Sequence, residues 1–165
     1  MDDTATSDPI DELARSWEVA RPDLDFAPMV LFAQLNRFVL KSLRLLEKAQ
    51  AAHELTLAEF DVLAGLRRSG APFTLRPSEL ADALLLTRAG MTARIDGLVG
   101  RGLVERRSDA TDRRSGPVAL TKRGRRLIDR AVVTHVAAEE ALFAGLSTTQ
   151  RASLEAALRS LSKWH

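Results

Sequence analysis

The chain has 165 residues, 45% of them hydrophobic, which suits one folded domain with or without an added helical layer and argues against disorder. It has no cysteine, so disulfides, thiolate nucleophiles and thiol redox switches are excluded. The overall charge of +2 hides an asymmetry: residues 1–27 hold eight acids against two arginines, whereas residues 101–130 hold ten bases against four acids, a net +6. Such a patch is the electrostatic footprint of a polyanion partner. The segment MDDTATSDPIDEL leads with acids and has no apolar core, and no run elsewhere approaches ~18 apolar residues. A cytoplasmic location without membrane contact is the expectation.

In chain order, Asp8 is placed to cap a short helix over Pro9 to Ala20, with Pro9 in its first turn and Ile10, Leu13 and Trp17 at helical spacing. Arg21, Pro22 and Asp23 end it. A long helix follows from Ala27 to about His53, its stripe formed by Leu31, Leu35, Phe38, Val39, Leu43 and Leu46. Thr56 and Glu59 have capping-box spacing and open a helix over Leu57 to Arg68, closed by Gly70 and Pro72. Within RPSELADALLLTRAGMTARIDGLVGRG, residues 76–102, Ser78 is read as the cap of a first helix, and a second begins after a turn around Leu86 and Thr87. Leu103 to Thr121 then reads as a basic β-hairpin: two strand-like runs flank a loop holding Asp109, Asp112, Arg113 and Arg114. Gly116 and Pro117 blur where its second strand begins. Thr121 and Lys122 restart a helix to about Phe143, Gly145 and Ser147 break and recap it, and a last helix over Thr149 to Lys163 repeats Leu154, Leu158 and Leu161.

Two helices followed by an arginine-tipped hairpin spell a winged helix-turn-helix, so the expected fold class is mainly α with a small β-hairpin wing. On the second, reading helix, Met91, Ile95, Leu98 and Val99 fall on one face and should hold it to the domain. Arg88, Ala89, Thr92, Ala93 and Asp96 fall on the other. Arg88 is the best base reader, since a guanidinium binds guanine N7 and O6 bidentately. Thr87 and Thr92 suit phosphate or thymine-methyl contacts, and Gly90 allows close approach. Arg94 falls at the edge of the buried face, where a guanidinium needs an anion, and Asp61 or a ligand are the candidates. His53, His135 and His165 have no zinc spacing, and neither a nucleophile elbow nor a glycine-rich phosphate loop is present, so no enzyme, metal site or cofactor is expected. His135 is read as a partly exposed helix residue.

Two blocks, GMTARIDGLVGRGLVERR and DATDRRSGPVALTKRGRRL, resemble the MarR family of bacterial transcriptional regulators, and the resemblance covers about residues 27–163. The family's Asp-x-Arg wing signature falls on Asp112 and Arg114, which implies that Arg114 enters the minor groove of double-stranded DNA with Asp112 bracing it and Arg113 beside it. The resemblance also implies a homodimer built by the first long helix and the last two, reading a palindrome with half-sites about one helical turn apart. The residues agree, because Leu31, Leu35, Phe38, Leu142, Phe143, Leu154, Leu158 and Leu161 would otherwise leave a large apolar patch in water. The expected organisation is an N-terminal extension with an extra helix over 1–26, a helical dimerisation region over 27–55 and 122–165, and the DNA-binding region over 56–121.

The family's urate-responsive branch places a Trp on an extra N-terminal helix, an Asp before the reading pair, an Arg in the recognition helix and an Arg in the first wing strand. Here these kinds fall on Trp17, Asp61, Arg94 and Arg106, so the resemblance implies a pocket for a small anionic aromatic effector that releases a repressor from its operator. The alternative is a constitutive architectural DNA-binding protein without an effector.

Overall fold

The computed structural model describes residues 8–84, 88–107 and 116–163, with the side chains of Arg88 and Ala89 outside the description. The chain divides into two compact units, residues 1–44 and 45–165. The first contains helix α1 (Pro9–Ala20) and the greater part of α2 (Ala27–Ala51). Asp8 caps α1 by accepting from the Ile10 amide at 3.0 Å, and it also accepts from Arg37 of α2 at 2.7 Å. The Arg37 hydrogen bond, and after it that amide, hold the Asp8 carboxyl below its ordinary value. Trp17 and Phe26 stack with centroids 5.7 Å apart.

The second unit comprises α3 (Leu57–Arg68), β1 (Thr74–Leu75), α4 (Pro77–Ala83), α5 (Arg88–Gly100), β2 (Val104–Arg106), β3 (Val118–Leu120), α6 (Lys122–Leu142) and α7 (Thr148–Leu161). Its antiparallel sheet has the order β1-β3-β2, with Val104 opposite Leu120, Arg106 opposite Val118 and Thr74 opposite Ala119. Side chains from α3, α4, α5, the sheet and α6 fill one core, in which Leu63, Leu66, Leu80, Met91, Ile95, Leu98, Leu103 and Ile128 are at most 1% exposed. Burial of each such side chain contributes roughly 1.5–3 kcal/mol.

Local chemistry sets most boundaries. Thr56 and Glu59 form a reciprocal capping box, and Thr121 and Ser147 cap α6 and α7 through Gly124 and Gln150. The start of α4 differs from the Ser78 cap expected from sequence: Pro77 takes the first helical position and Arg76 stands outside in extended backbone, its amide donating to Glu79 Oε2 at 2.6 Å. Proline restricts its predecessor to extended conformations and is pre-set for the first helical residue, which places the boundary two residues earlier. Strand β1 was not foreseen, because two residues have no periodicity and become a strand only by pairing with β3. The second wing strand begins after Pro117, at Val118.

Candidate nucleic-acid interface and ligand cavity

Helix α5 is anchored through Met91, Ile95 and Leu98, all fully buried. Val99, expected on that face, is 36% exposed. One residue advances a helix by about 100°, and with Leu98 at the centre of the buried stripe Val99 is carried past its edge. Thr92, Ala93 and Asp96 are exposed, as a reading surface requires. Arg88, Ala89 and Gly90 form the first turn of this helix. Thr87 and the wing-tip residues Asp112, Arg113 and Arg114 lie outside the described residues. The wing root is described: Arg107 donates its amide to the Pro117 carbonyl at 2.8 Å, continuing the β2–β3 pairing one step beyond Arg106 and Val118.

Arg106, on β2, donates to Asp96 of α5 at 2.7 Å and is only one-fifth exposed. This pair ties the wing root to the middle of the recognition helix. At the far end of that helix Arg101 donates to Glu59 Oε1 at 3.0 Å and to the Glu54 carbonyl at 2.7 Å, fastening it to the start of α3. Burial opposes ionisation of Glu59, yet the bonds from Thr56 and Arg101 outweigh it and hold this carboxyl below its ordinary value.

A cavity of about 560 Å³ opens between the end of α2, the start of α3, Leu84 and α5. Its lining is mostly apolar, through Ala51, Leu55, Leu57 and Ala58, and three charged side chains, Glu47, Asp61 and Arg94, face it. The structure thus brings Asp61 and Arg94 to one cavity, as their sequence positions suggested. Arg106 is not among the described lining residues, and Trp17 belongs to the other unit. Asp61 is half-buried and burial pushes its pKa up, while His135, Arg94 and Arg68 pull it back through space. Among the described residues no ion pair within 4 Å is formed by Asp61.

One side-chain pair, Gln50 and His135, was not expected from sequence. Gln50 is fully buried, and its Nε2 lies 3.1 Å from Nδ1 of His135; its Oε1 has no partner among the described residues. His135 stacks on Phe60 at 4.3 Å and its Nε2 lies 3.3 Å from Glu139. Its side chain is 14% exposed, which keeps the partly exposed helix histidine of the sequence reading and adds these partners around its ring. The separation of 85 residues between Gln50 and His135 leaves no local signal that could have paired them.

A buried-face helix with an exposed outer stripe, closed by a β-hairpin at its end, defines a winged-helix DNA-binding protein. The family model described as MarR family matches residues 53–115. The HTH-type transcriptional regulator PecS of Dickeya dadantii is 36% identical over 154 residues, 93% of both chains. Among solved structures, a mutant of the MarR protein of Escherichia coli complexed with operator DNA is 26% identical, with a TM-score of 0.69 over 82% of this chain and 96% of that one. A Bordetella bronchiseptica BpsR structure, described by the regulation of its DNA binding by 6-hydroxynicotinic acid, is 26% identical, with a TM-score of 0.70 over 81% and 98% of the two chains. This chain belongs to the MarR family of DNA-binding transcriptional regulators. No helix among its described residues is long and apolar enough to cross a membrane.

Proposed function

We propose that the protein is a homodimeric repressor that reads a palindromic operator and is released from it by a small planar anion of the urate or aromatic-carboxylate class. The observation that supports this most is the placement of Arg94 on the recognition helix, within the same 560 Å³ cavity as Asp61. That volume lies in the range of small-molecule sites, about 300–1,000 Å³. An apolar lining takes the ring and Arg94 offers charge-assisted hydrogen bonds to the anionic edge. In the proposed response the incoming anion engages Arg94 and repels Asp61, displacing the helix that reads DNA. Trp17 would cover the ring and Arg106 would add a second guanidinium once its hold on Asp96 is released. The regulation of BpsR by 6-hydroxynicotinic acid, itself a planar aromatic acid, favours this ligand class.

DNA contacts are assigned to Thr87, Arg88, Ala89, Gly90 and Thr92 on the helix and to Asp112, Arg113 and Arg114 on the wing. Because one helix serves both ligands, their binding shares a coupling free energy, typically about 1–3 kcal/mol or roughly 5–150-fold in affinity. Titration of urate and several aromatic acids by calorimetry and into gel shifts tests this. Binding and operator release are expected in the parent protein and are blunted in Trp17→Ala, Asp61→Asn and Arg94→Ala. A protein that binds operator DNA but no such anion would leave the constitutive architectural reading in place.

A further inference from the structure

A second concavity, about 410 Å³, opens on unit 45–165 between the turn after α2, the turn after α5 and the first half of α6. Its charged lining is one-sided: Arg101, Arg123, Arg126 and Arg130 against the single carboxylate of Glu54, with His53, Ala52, Leu103 and Leu127 completing the wall. Arg123, Arg126 and Arg130 follow one another at i, i+3 and i+7, a spacing that puts all three on one face of α6. The carboxylate of the neighbouring turn is used elsewhere, since Asp129 pairs with Arg67 and lies near Arg125. Among the described residues none forms an ion pair with Arg123, Arg126 or Arg130. His53 is spoken for, its Nε2 lying 2.8 Å from Thr134 Oγ1. Three like charges converging on one concavity repel one another, and a polyvalent anion relieves that repulsion.

From these positions we propose that this pocket is an anion site distinct from the Asp61–Arg94 cavity, and that it takes a small polyvalent phosphate. Guanidiniums match phosphate oxygens bidentately, and several around one concavity suit a ligand with more than one negative charge. An aromatic monocarboxylate would satisfy one of them and leave the others. The DNA backbone is the less fitting polyanion. Arg101 stands at the end of α5 opposite to Arg88, 13 helical residues away, or about 20 Å at 1.5 Å per residue, and Leu103 lies at the root of the wing rather than its tip. A ligand here competes with Glu59 and the Glu54 carbonyl for Arg101, and so acts on the fastening of the recognition helix.

Calorimetry of the full chain at 0.15 M salt with inorganic pyrophosphate, ATP and adenosine tests the site. Saturable binding of pyrophosphate and ATP, one per protomer, is expected, with none of adenosine. ATP binding much tighter than pyrophosphate identifies a nucleotide, and equal binding a free polyphosphate. Arg126→Ala and Arg130→Ala are expected to weaken binding about tenfold or more each, the size of a lost charge-assisted hydrogen bond, while Arg125→Ala, which removes the same charge outside the pocket, leaves it unchanged. These side chains are exposed, and unchanged thermal melting of the variants confirms that they fold. Absence of saturable binding, or equal weakening by Arg125→Ala, overturns the proposal. So does a fall in operator affinity without any phosphate ligand, with the salt slope reduced by about 0.9 per arginine removed, because the cluster is then part of the DNA interface.

Discussion

Gly124 fixes the root of the wing to the first turn of α6, and replacing it with alanine should loosen both. A Cβ on Gly124 would meet main-chain atoms of Leu103, standing 2.9 Å from its carbonyl carbon and 3.2 Å from its Cα, with the carbonyl oxygen closer still. Carbon–carbon contacts are optimal at about 3.5–4.0 Å, so the two segments must separate by about an ångström. The neighbour is backbone and has no rotamer through which to yield. The Leu103 carbonyl also accepts from the Thr121 amide and hydroxyl, both at 3.1 Å, and separation strains these bonds. Overpacking costs about 1–3 kcal/mol and each weakened hydrogen bond about 1 kcal/mol, offset by at most about 1 kcal/mol of helix propensity gained. Gly124→Ala is therefore expected to lose roughly 2–4 kcal/mol in urea unfolding at fixed protein concentration. Operator affinity should fall with it, since Leu103 leads directly into β2. Gly97→Ala is the control: it lies exposed on α5 with nothing within 4 Å of the added methyl, and should hold or gain up to about 1 kcal/mol. A Gly124→Ala protein as stable as the parent would refute the close-approach argument.

Arg88→Ala is expected to cost about 1–3 kcal/mol at the preferred operator and to relax discrimination there. Arg114→Ala should weaken binding to all sequences alike, and gel shifts with specific and scrambled duplexes distinguish the two; parent-like binding by both would count against this reading surface. Asp61 is raised by burial, so the native state holds a proton that the unfolded chain releases near 3.8, and stability is lost as pH rises from there through the folded value. Asp61→Asn removes this loss. Its stability relative to the parent should grow across that window and then level off, and a difference that shrinks with rising pH in urea titrations would be inconsistent with a carboxyl raised by burial. Leu154, Leu158 and Leu161 are 37%, 47% and 61% exposed on α7. Deleting residues 151–165 should therefore produce aggregation or loss of DNA binding, and a soluble monomeric truncation that still binds operator, by light scattering and gel shift, would exclude the dimer proposed through these helices.

What could be read from the sequence was whatever depends on near neighbours. Asp8, the Thr56–Glu59 pair, Thr121 and Ser147 all satisfy amides within three residues, and their helices begin where these side chains predict. The apolar stripe Met91, Ile95 and Leu98 was equally legible, because a helix converts spacing directly into a face. Failures track the distance over which a partner must be found. Strand β1 exists through a β3 partner more than forty residues later, and the Gln50–His135 contact spans 85 residues. Asp61 and Arg94 were placed together on grounds of family resemblance as well as helical phase. The arginine-lined concavity was hidden for a different reason: in a segment already rich in bases, Arg123, Arg126 and Arg130 look like general positive charge until the turns after α2 and α5 wall them in.

The recognition helix has few ways to move alone. Met91, Ile95 and Leu98 are sealed in the core, so a slide along its axis would break close packing at three positions at once. A pivot about that buried face is less costly, because it loads polar, partly exposed ties such as Asp96 to Arg106 at the wing root and Arg101 to Glu59 at the helix end rather than the close-packed core. Arg94 and Arg101 are seven residues apart, about 10 Å along the helix, one facing each of the two cavities. In the proposed responses, an anion that draws on either guanidinium would pull away from the buried pivot, where a small displacement would re-aim the first turn. In the proposed response, release of Arg106 from Asp96 would free the wing root from the helix, so the two elements assigned to DNA contact would lose their fixed alignment together.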